Sequence, residues 1–293
     1  MIDIKKALDT STGADLIPEK LDKELVDVVK KTNELRVLIP PMPWSTLVYS
    51  WVVRKGLISA QAYDENDTFN GTQSDYERRN VQIKMIKAEG AVSNLLKATS
   101  VDFINALQEE VNSATVALAN EEARLDIQGD SATNPKEYDG LIKQCTYTLD
   151  AGNAAFTLDL LDEAIEEVRA AGGVPNLIIM HPKDYSYLKK LCKDTYRLDW
   201  ADIGKDHSIP KYDNIRISIN PYIPGDPDAA TPTYRTILVL DTRYIKRPTV
   251  QDVKYTPVEA STDSTAFRIN EYLALAVKAA ELQRAIINVG NPA

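Results

Sequence analysis

Two histidines and two cysteines are all that 293 residues supply of the side chains most used in metal binding and nucleophilic catalysis. A zinc centre or a histidine-based relay would have to be assembled from His181 and His207 alone, and His181, next to Pro182, reads as a partly exposed loop residue. Cys145 and Cys192 fit neither a disulfide scaffold nor a zinc knuckle and read as reduced packing residues. The sequence also lacks a His-Glu-x-x-His helix, a Gly-x-Ser-x-Gly elbow, a Gly-x-x-x-x-Gly-Lys loop and a Gly-x-Gly-x-x-Gly turn, so no catalytic residue, metal or cofactor is expected. Positive charge is scarce: 34 Lys and Arg face 43 Asp and Glu, a net charge of -9. That excludes a chain that collects on nucleic acid by bulk charge. No apolar run approaches the roughly 20 residues that cross a bilayer. The opening Met1-Ile2-Asp3-Ile4-Lys5-Lys6 is too polar for a signal peptide, so a cytosolic chain without a membrane partner is expected. Asn66-Asp67-Thr68 and Asn70-Gly71-Thr72 match the glycosylation pattern but read as turns.

What is present has a clear order. Residues 1–45 read as an arm. Pro18 opens a short helix with Leu21, Leu25, Val28 and Val29 at helical spacing, and Pro40, Pro41 and Pro43 then force an extended path toward Trp44. Residues 46–90 read as a long antiparallel hairpin, with strands at Thr46–Val53 and Val81–Lys87 and a polar stretch between them. Phe69-Asn70-Gly71 is its tip, because Asn-Gly accepts the positive φ of a tight turn. Two strands bury little by themselves, so the hairpin is expected to find partners elsewhere. Phe69 and Tyr76 are its aromatic candidates for contact energy, and Arg78 and Arg79 form a small basic spot suited to a neighbour's acids.

From Asp102 to Gln128, Ile104, Leu107, Val111, Ala114, Leu118 and Leu125 make an apolar stripe on a helix of about 40 Å. Gly129 stands where it ends. The pairs Glu109-Glu110 and Glu121-Glu122, and the acids at 159, 162, 163, 166 and 167, are assigned to solvated helix faces. Beyond Gly140 helices and strands alternate. Leu158, Leu161, Ile165 and Val168 mark a helix ended by Gly172-Gly173, Leu177–Met180 a buried strand, and Pro182 opens a helix carrying Tyr185, Leu188 and Leu191. Ile215–Ile219 and Thr236–Leu240 are strands, and 224–232 is a surface loop. Val250–Glu259 and Phe267–Val289 read mostly as returning strands, although Ala274–Ala285 also has the propensity for a helix. The class is α+β.

This order resembles the Hong-Kong-97-type major capsid proteins of tailed double-stranded-DNA phages. Asp15-Leu16-Ile17-Pro18 with Asn33-Glu34-Leu35-Arg36 looks like that family's arm, and Tyr138-Asp139-Gly140-Leu141 like the junction after its spine helix. Leu177-Ile178-Ile179-Met180-His181-Pro182-Lys183-Asp184-Tyr185, followed by Leu188 and Leu191, is similar to the strand and helix of its axial domain. The resemblance spans almost the whole chain. It implies an N-terminal arm (1–45), an extended hairpin loop (46–90), a peripheral domain with the spine helix (91–141 and 242–280) and an α/β axial domain (142–241 and 281–293).

It further implies self-assembly through pentamers and hexamers into an icosahedral virion shell, formed in the host cytoplasm. The shell would enclose double-stranded DNA contacted non-specifically, with a separate scaffolding protein, a portal and decoration proteins as further partners. The hairpin, with Phe69, Asn70, Gly71, Tyr76, Arg78 and Arg79, would lie over a neighbour, and the arm, with Pro40, Pro41 and Trp44, would strap subunits together. Some members weld neighbours through a hairpin lysine. No lysine lies between Leu57 and Glu77 here, so a non-covalent shell is expected. An encapsulin-like compartment, an α/β enzyme and a monomeric binding module are the competing readings.

Overall fold

The computed structural model describes residues 34–62, 64–65, 68, 71–99, 106–192, 198–202, 208–225, 234–259 and 263–291. The Pro18 helix, Phe69 and Asn70 at the hairpin tip, the first turn of the long helix, His207 and most of the 224–232 loop lie outside these residues.

The chain enters through a single helical turn, α1 (Leu35–Leu38), and a three-residue strand, β1 (Pro41–Pro43). The hairpin strands are β2 (Val48–Gly56) and β3 (Asp75–Gln82), which pair only with each other. Strand β4 (Lys84–Ser93) and the short helix α2 (Asn94–Thr99) lead to the long helix α3 (Ala106–Gln128). One expectation is corrected here. Val81–Lys87 is not a single strand: the chain changes sheets at Ile83, whose side chain is buried and whose N–H donates to Leu47 O at 2.9 Å. The polar stretch Asp75–Asn80 supplies the hairpin's returning strand instead, because backbone pairing with β2 satisfies its amides while its polar side chains stay wet.

Past α3 come α4 (Leu141–Gln144), β5 (Thr148–Asp150), α5 (Leu158–Ala170), β6 (Leu177–Met180), α6 (Pro182–Cys192), β7 (Leu198–Asp202), β8 (Ser208–Tyr212), β9 (Ile215–Ile219) and β10 (Arg235–Leu240). The chain closes with β11 (Ile245–Val258), β12 (Ser264–Leu273), β13 (Ala276–Val277) and β14 (Arg284–Val289). Helix α5 begins where the Thr157 hydroxyl accepts the Leu160 N–H at 3.2 Å, and it stops before Gly172, which takes φ +88°. That left-handed turn favours glycine.

Two sheets organise the molecule. One has the order β1-β11-β12-β4, with β13 attached to β11, and α3 packs against β4 and β12. The other has the order β5-β14-β10-β6-β9-β8-β7. In β6 and β10 both faces are buried, and they divide by alternation. Ile178, Met180, Ile237 and Val239 face the core built with α5 and α6, while Leu177, Ile179, Leu238 and Leu240 face the core shared with α3 and the first sheet. The helical alternative for Ala274–Ala285 is not taken up. Only Ala280–Leu282 makes a single 3-10 turn, and Ala274, Leu275 and Ala276 run extended and fully buried.

The polar-face assignment also needs correction. Glu110 is exposed as expected, but Glu122 is 1% exposed and Asp126 is fully buried. The last turns of α3 are enclosed over most of their circumference, with Ala123, Leu125 and Ile127 buried as well, and only the side of Glu121, Arg124 and Gln128 reaches solvent. Carboxylates there must be paired, because an isolated buried charge is very costly.

Candidate assembly surfaces

The hairpin has two unlike faces. Register places Tyr49, Trp51 and Val53 opposite Val81, Arg79 and Glu77 on one side, and Val48, Ser50, Val52 and Arg54 opposite Gln82, Asn80, Arg78 and Tyr76 on the other. The first face rests on the subunit's own body. Tyr49 is buried, which pushes its phenol up in pKa. The Trp51 indole N–H donates to Lys278 O at 2.9 Å, and the Arg79 guanidinium donates to Glu281 at 2.6 Å and to Glu77 at 3.0 Å. Trp44, Tyr49 and Trp51 form a row with ring centroids 4.9 and 5.5 Å apart. The second face is bare. Val52 is 64% and Tyr76 58% exposed, Arg54 lies 5.6 Å over the Tyr76 ring, and Arg78 is exposed. Further out, Leu57 and Ile58 are 76% and 61% exposed, and Gly71 is exposed beyond them.

Of the residues singled out in the sequence, Tyr76 and Arg78 therefore share one open face, while Arg79 is committed to carboxylates of its own chain. At the hairpin's root, Leu47, Ile83, Met85, Val250 and Tyr272 line an apolar cavity of about 400 Å³ that opens to the surface. Sequence reading missed it, because its walls come from four separated segments.

The proline segment lies across the chain's own body. Pro41, Met42 and Pro43 run parallel to Arg247, Pro248 and Thr249 of β11, and the Trp44 N–H donates to Thr249 O at 2.9 Å. A proline-rich strand is tolerated at such an edge because few of its amides are asked to donate. Pro40 is exposed and Trp44 half-buried.

Beneath this strap lies a charge network that the sequence did not announce. Arg36 in α1 donates to Glu122 at 2.5 Å and to Glu271 at 2.8 Å, and also bonds Asp252. Arg247, fully buried, donates to Ile39 O at 3.2 Å, to Glu122, and to Asp126 at 2.6 Å. Tyr138 OH donates to the other Asp126 oxygen at 2.9 Å, and burial together with that carboxylate pushes the phenol up. Burial and the nearby Arg36 charge draw the Arg247 guanidinium down to about 10, which leaves it charged at neutral pH. Burial raises Glu271, against the opposing pull of Arg36. One signal was available in the sequence: Ile245, Arg247 and Thr249 share an inward two-residue period that places an arginine among buried positions.

A second buried pair joins Arg235 to Asp184 at 2.9 Å, and Arg235 also donates to Gly290 O and Asn291 Oδ1. It ties the start of β10 to α6 and to the residues after β14. His181, half-buried, accepts the Lys183 N–H at 3.1 Å through Nδ1, and burial lowers its pKa. Cys145 and Cys192 are buried and not joined in a disulfide. Among the described residues no group of His, Cys, Asp and Glu is placed to hold a metal ion, and no helix is long and apolar enough to cross a membrane.

Residues 13–282 match the model of the Phage capsid family. No curated protein sequence matches the chain. Among solved structures, the chain is similar to the capsid of a native GTA particle, with 16% identity, 99% of this chain and 100% of that one covered, and a TM-score of 0.76. It is similar to a structure from Mycobacterium phage Ogopogo, with 15% identity, coverage of 96% and 99%, and a TM-score of 0.68. It is also similar to the SrpI encapsulin of Synechococcus elongatus PCC 7942, with 14% identity, 97% of each chain covered, and a TM-score of 0.70. The fold is thus that of the Hong-Kong-97-type phage capsids, and with the family match running through nearly all of its length, the chain belongs to the phage capsid family and is a structural shell protein.

Proposed function

We propose that this chain is the major capsid protein of a tailed phage or a close relative, assembling through pentamers and hexamers into an icosahedral shell around double-stranded DNA. The observation that carries this reading is the hairpin. Among the described residues its strands pair only with each other, its edges are open, and one face carries exposed Val52, Arg54, Tyr76 and Arg78. A lone monomer leaves that face uncovered, whereas closed symmetry offers every copy the same partner surface.

In this reading the seven-stranded sheet with α5 and α6 is the core of the axial domain, 142–241 with 281–293, that surrounds the symmetry axes. Residues 91–141 and 242–280 form the peripheral domain, and the hairpin of 46–90 reaches a neighbour. Phe69, Asn70, Gly71, Tyr76 and Arg78 serve that contact while Arg79 anchors the hairpin to its own body, and the arm of 1–45, with exposed Pro40, straps subunits from a base that Pro41 and Trp44 fix against β11. The shell is held without covalent welding, catalyses nothing and is built in the host cytoplasm. A separate scaffold guides closure, and a portal and decoration proteins complete the particle. The acidic balance of the chain leaves packaged DNA loosely held. The likeness to the SrpI encapsulin supports a second reading, a compartment that encloses protein cargo.

Negative-stain microscopy with light scattering across protein and salt concentration tests the first step. Closed shells or rings of five and six are expected, with the purified chain alone or with a co-expressed scaffold; a 32.6 kDa monomer under every condition would overturn the reading. Nuclease-protected DNA in particles recovered from cells separates a virion shell from a cargo compartment.

A further inference from the structure

Two apolar surfaces of this chain stand open at opposite ends of the same hairpin. One is convex: Leu57 and Ile58, just beyond the last β2 residue, Gly56, are 76% and 61% exposed. The other is concave, the cavity of about 400 Å³ at the root, walled by Leu47, Ile83, Met85, Val250 and Tyr272. Its rim is open too, with Leu47 62%, Met85 52% and Val250 43% exposed. Exposed side chains of this size standing together point to a contact surface, whereas scattered single ones do not.

The hairpin cannot fold its own end into its own root. The ladder runs unbroken from Val48 opposite Gln82 to Arg54 opposite Tyr76, and Trp51 and Arg79 pin its inner face to Lys278 and Glu281. Nine strand residues at about 3.3 Å each hold the two surfaces roughly 25–30 Å apart. Two branched aliphatic side chains are of a size to enter such a cavity. A knob and a hole on different parts of one chain make a heterologous, head-to-tail contact, and repetition of such a contact closes into rings when the rotation permits.

We propose that Leu57 and Ile58 of one copy insert into the root cavity of the next copy, so that each hairpin end is seated at the root of its neighbour's hairpin. This rests on the reading of the hairpin as an intersubunit element and names its receptor. The occupant is a second copy and not a free apolar ligand, because the chain carries both complementary surfaces and belongs to a family whose members form shells. The exposed Arg54 and Arg78 beside the knob are too few to make this a nucleic-acid surface, which takes several phosphate contacts.

The test is a full-length variant with Ile58→Cys and Met85→Cys, assembled and then oxidised. The native cysteines are buried, so new disulfides report the engineered pair. The expected result is a ladder of multimers on non-reducing gels, absent in either single variant and collapsed by reductant. Mixing the single variants should give dimers only. Leu57→Asp with Ile58→Asp should keep the monomer folded and raise the concentration needed for shells by on the order of tenfold or more. Shells that form without cross-links, while excision of residues 58–73 abolishes assembly, would overturn the knob-and-hole pairing and leave the hairpin's intersubunit role standing. Normal shells after that excision would overturn both.

Discussion

Arg247 and Asp126 meet at 2.6 Å with neither side chain exposed, joining the first sheet to the end of α3 through a fully buried ion pair. Glu122 and the Ile39 carbonyl complete the surroundings of that arginine. Such a pair adds little net stability relative to a well-packed apolar substitute, but removing one partner is severe.

The first prediction follows from that asymmetry. Arg247→Met removes the one guanidinium shared by two buried carboxylates, leaving Glu122 to Arg36 and Asp126 to the Tyr138 hydroxyl, and should cost about 3–5 kcal/mol. Chemical denaturation of unassembled protein measures it. Adding Glu122→Gln and Asp126→Asn should recover part of the loss, and an undiminished loss would mean that the arginine acts through packing alone.

Arg36 concerns the strap. It reaches Glu122 on α3, Asp252 on β11 and Glu271 on β12, and the second Glu271 oxygen is buried without a partner. Arg36→Ala should therefore destabilise the fold and leave Glu271 holding its proton more tightly. A carboxyl whose folded pKa is raised contributes stability below its unfolded pKa that is lost as pH rises through the folded value. The deficit of the variant should be larger at pH 8 than at pH 5, as denaturation midpoints at the two values would show.

Asp241 has the opposite sign. Burial raises its pKa, but the Arg243 guanidinium and the N–H groups of Val174 and Arg243 outweigh burial and hold the carboxyl below the usual range. Its stabilisation is present above the unfolded pKa and is lost as pH falls through the folded one. Asp241→Asn should cost about 2 kcal/mol at pH 7, in the range of hydrogen bonds to a charged group. By about pH 3, below the ordinary aspartate value, the cost should have shrunk substantially.

Burial pushes the Cys145 thiol up to about 12, and Cys192 is 4% exposed. Since the thiolate is the reactive form, neither cysteine should react with a thiol reagent in the native protein, and two should react after unfolding. Stoichiometric labelling without denaturant would contradict the packing role.

Packing around Gly140 offers a last check. A Cβ at this position would meet Leu125 O at 2.6 Å and Ile127 O at 2.7 Å, both backbone atoms that cannot swing aside. Gly140→Ala should cost about 1–3 kcal/mol, the range for overpacking, and thermal unfolding measures it.

The amino-acid sequence by itself determined those elements whose signals are local. The stripe of Leu161, Ile165 and Val168, the run Leu177–Met180, the Pro182 helix and the alternation of Ile215 and Ile217 each carry their period and punctuation within a few residues, and each forms as read. The resemblance, resting on the order of such pieces, reached the family. Tertiary structure decided what depends on partners far along the chain. Glu122 looks like a solvated helix residue until Arg247, 125 positions later, is brought against it. Asp75–Gln82 is polar enough to pass for a loop until β2 supplies its hydrogen bonds. Ala274–Ala285 has helical propensity, yet its first residues are fully buried and extended beside β11, because propensities of tenths of a kcal/mol per residue yield to tertiary burial and pairing. The knob at Leu57 and Ile58 and the cavity at Met85 are each ordinary in sequence; only the folded hairpin, by holding them apart, makes them surfaces for another copy.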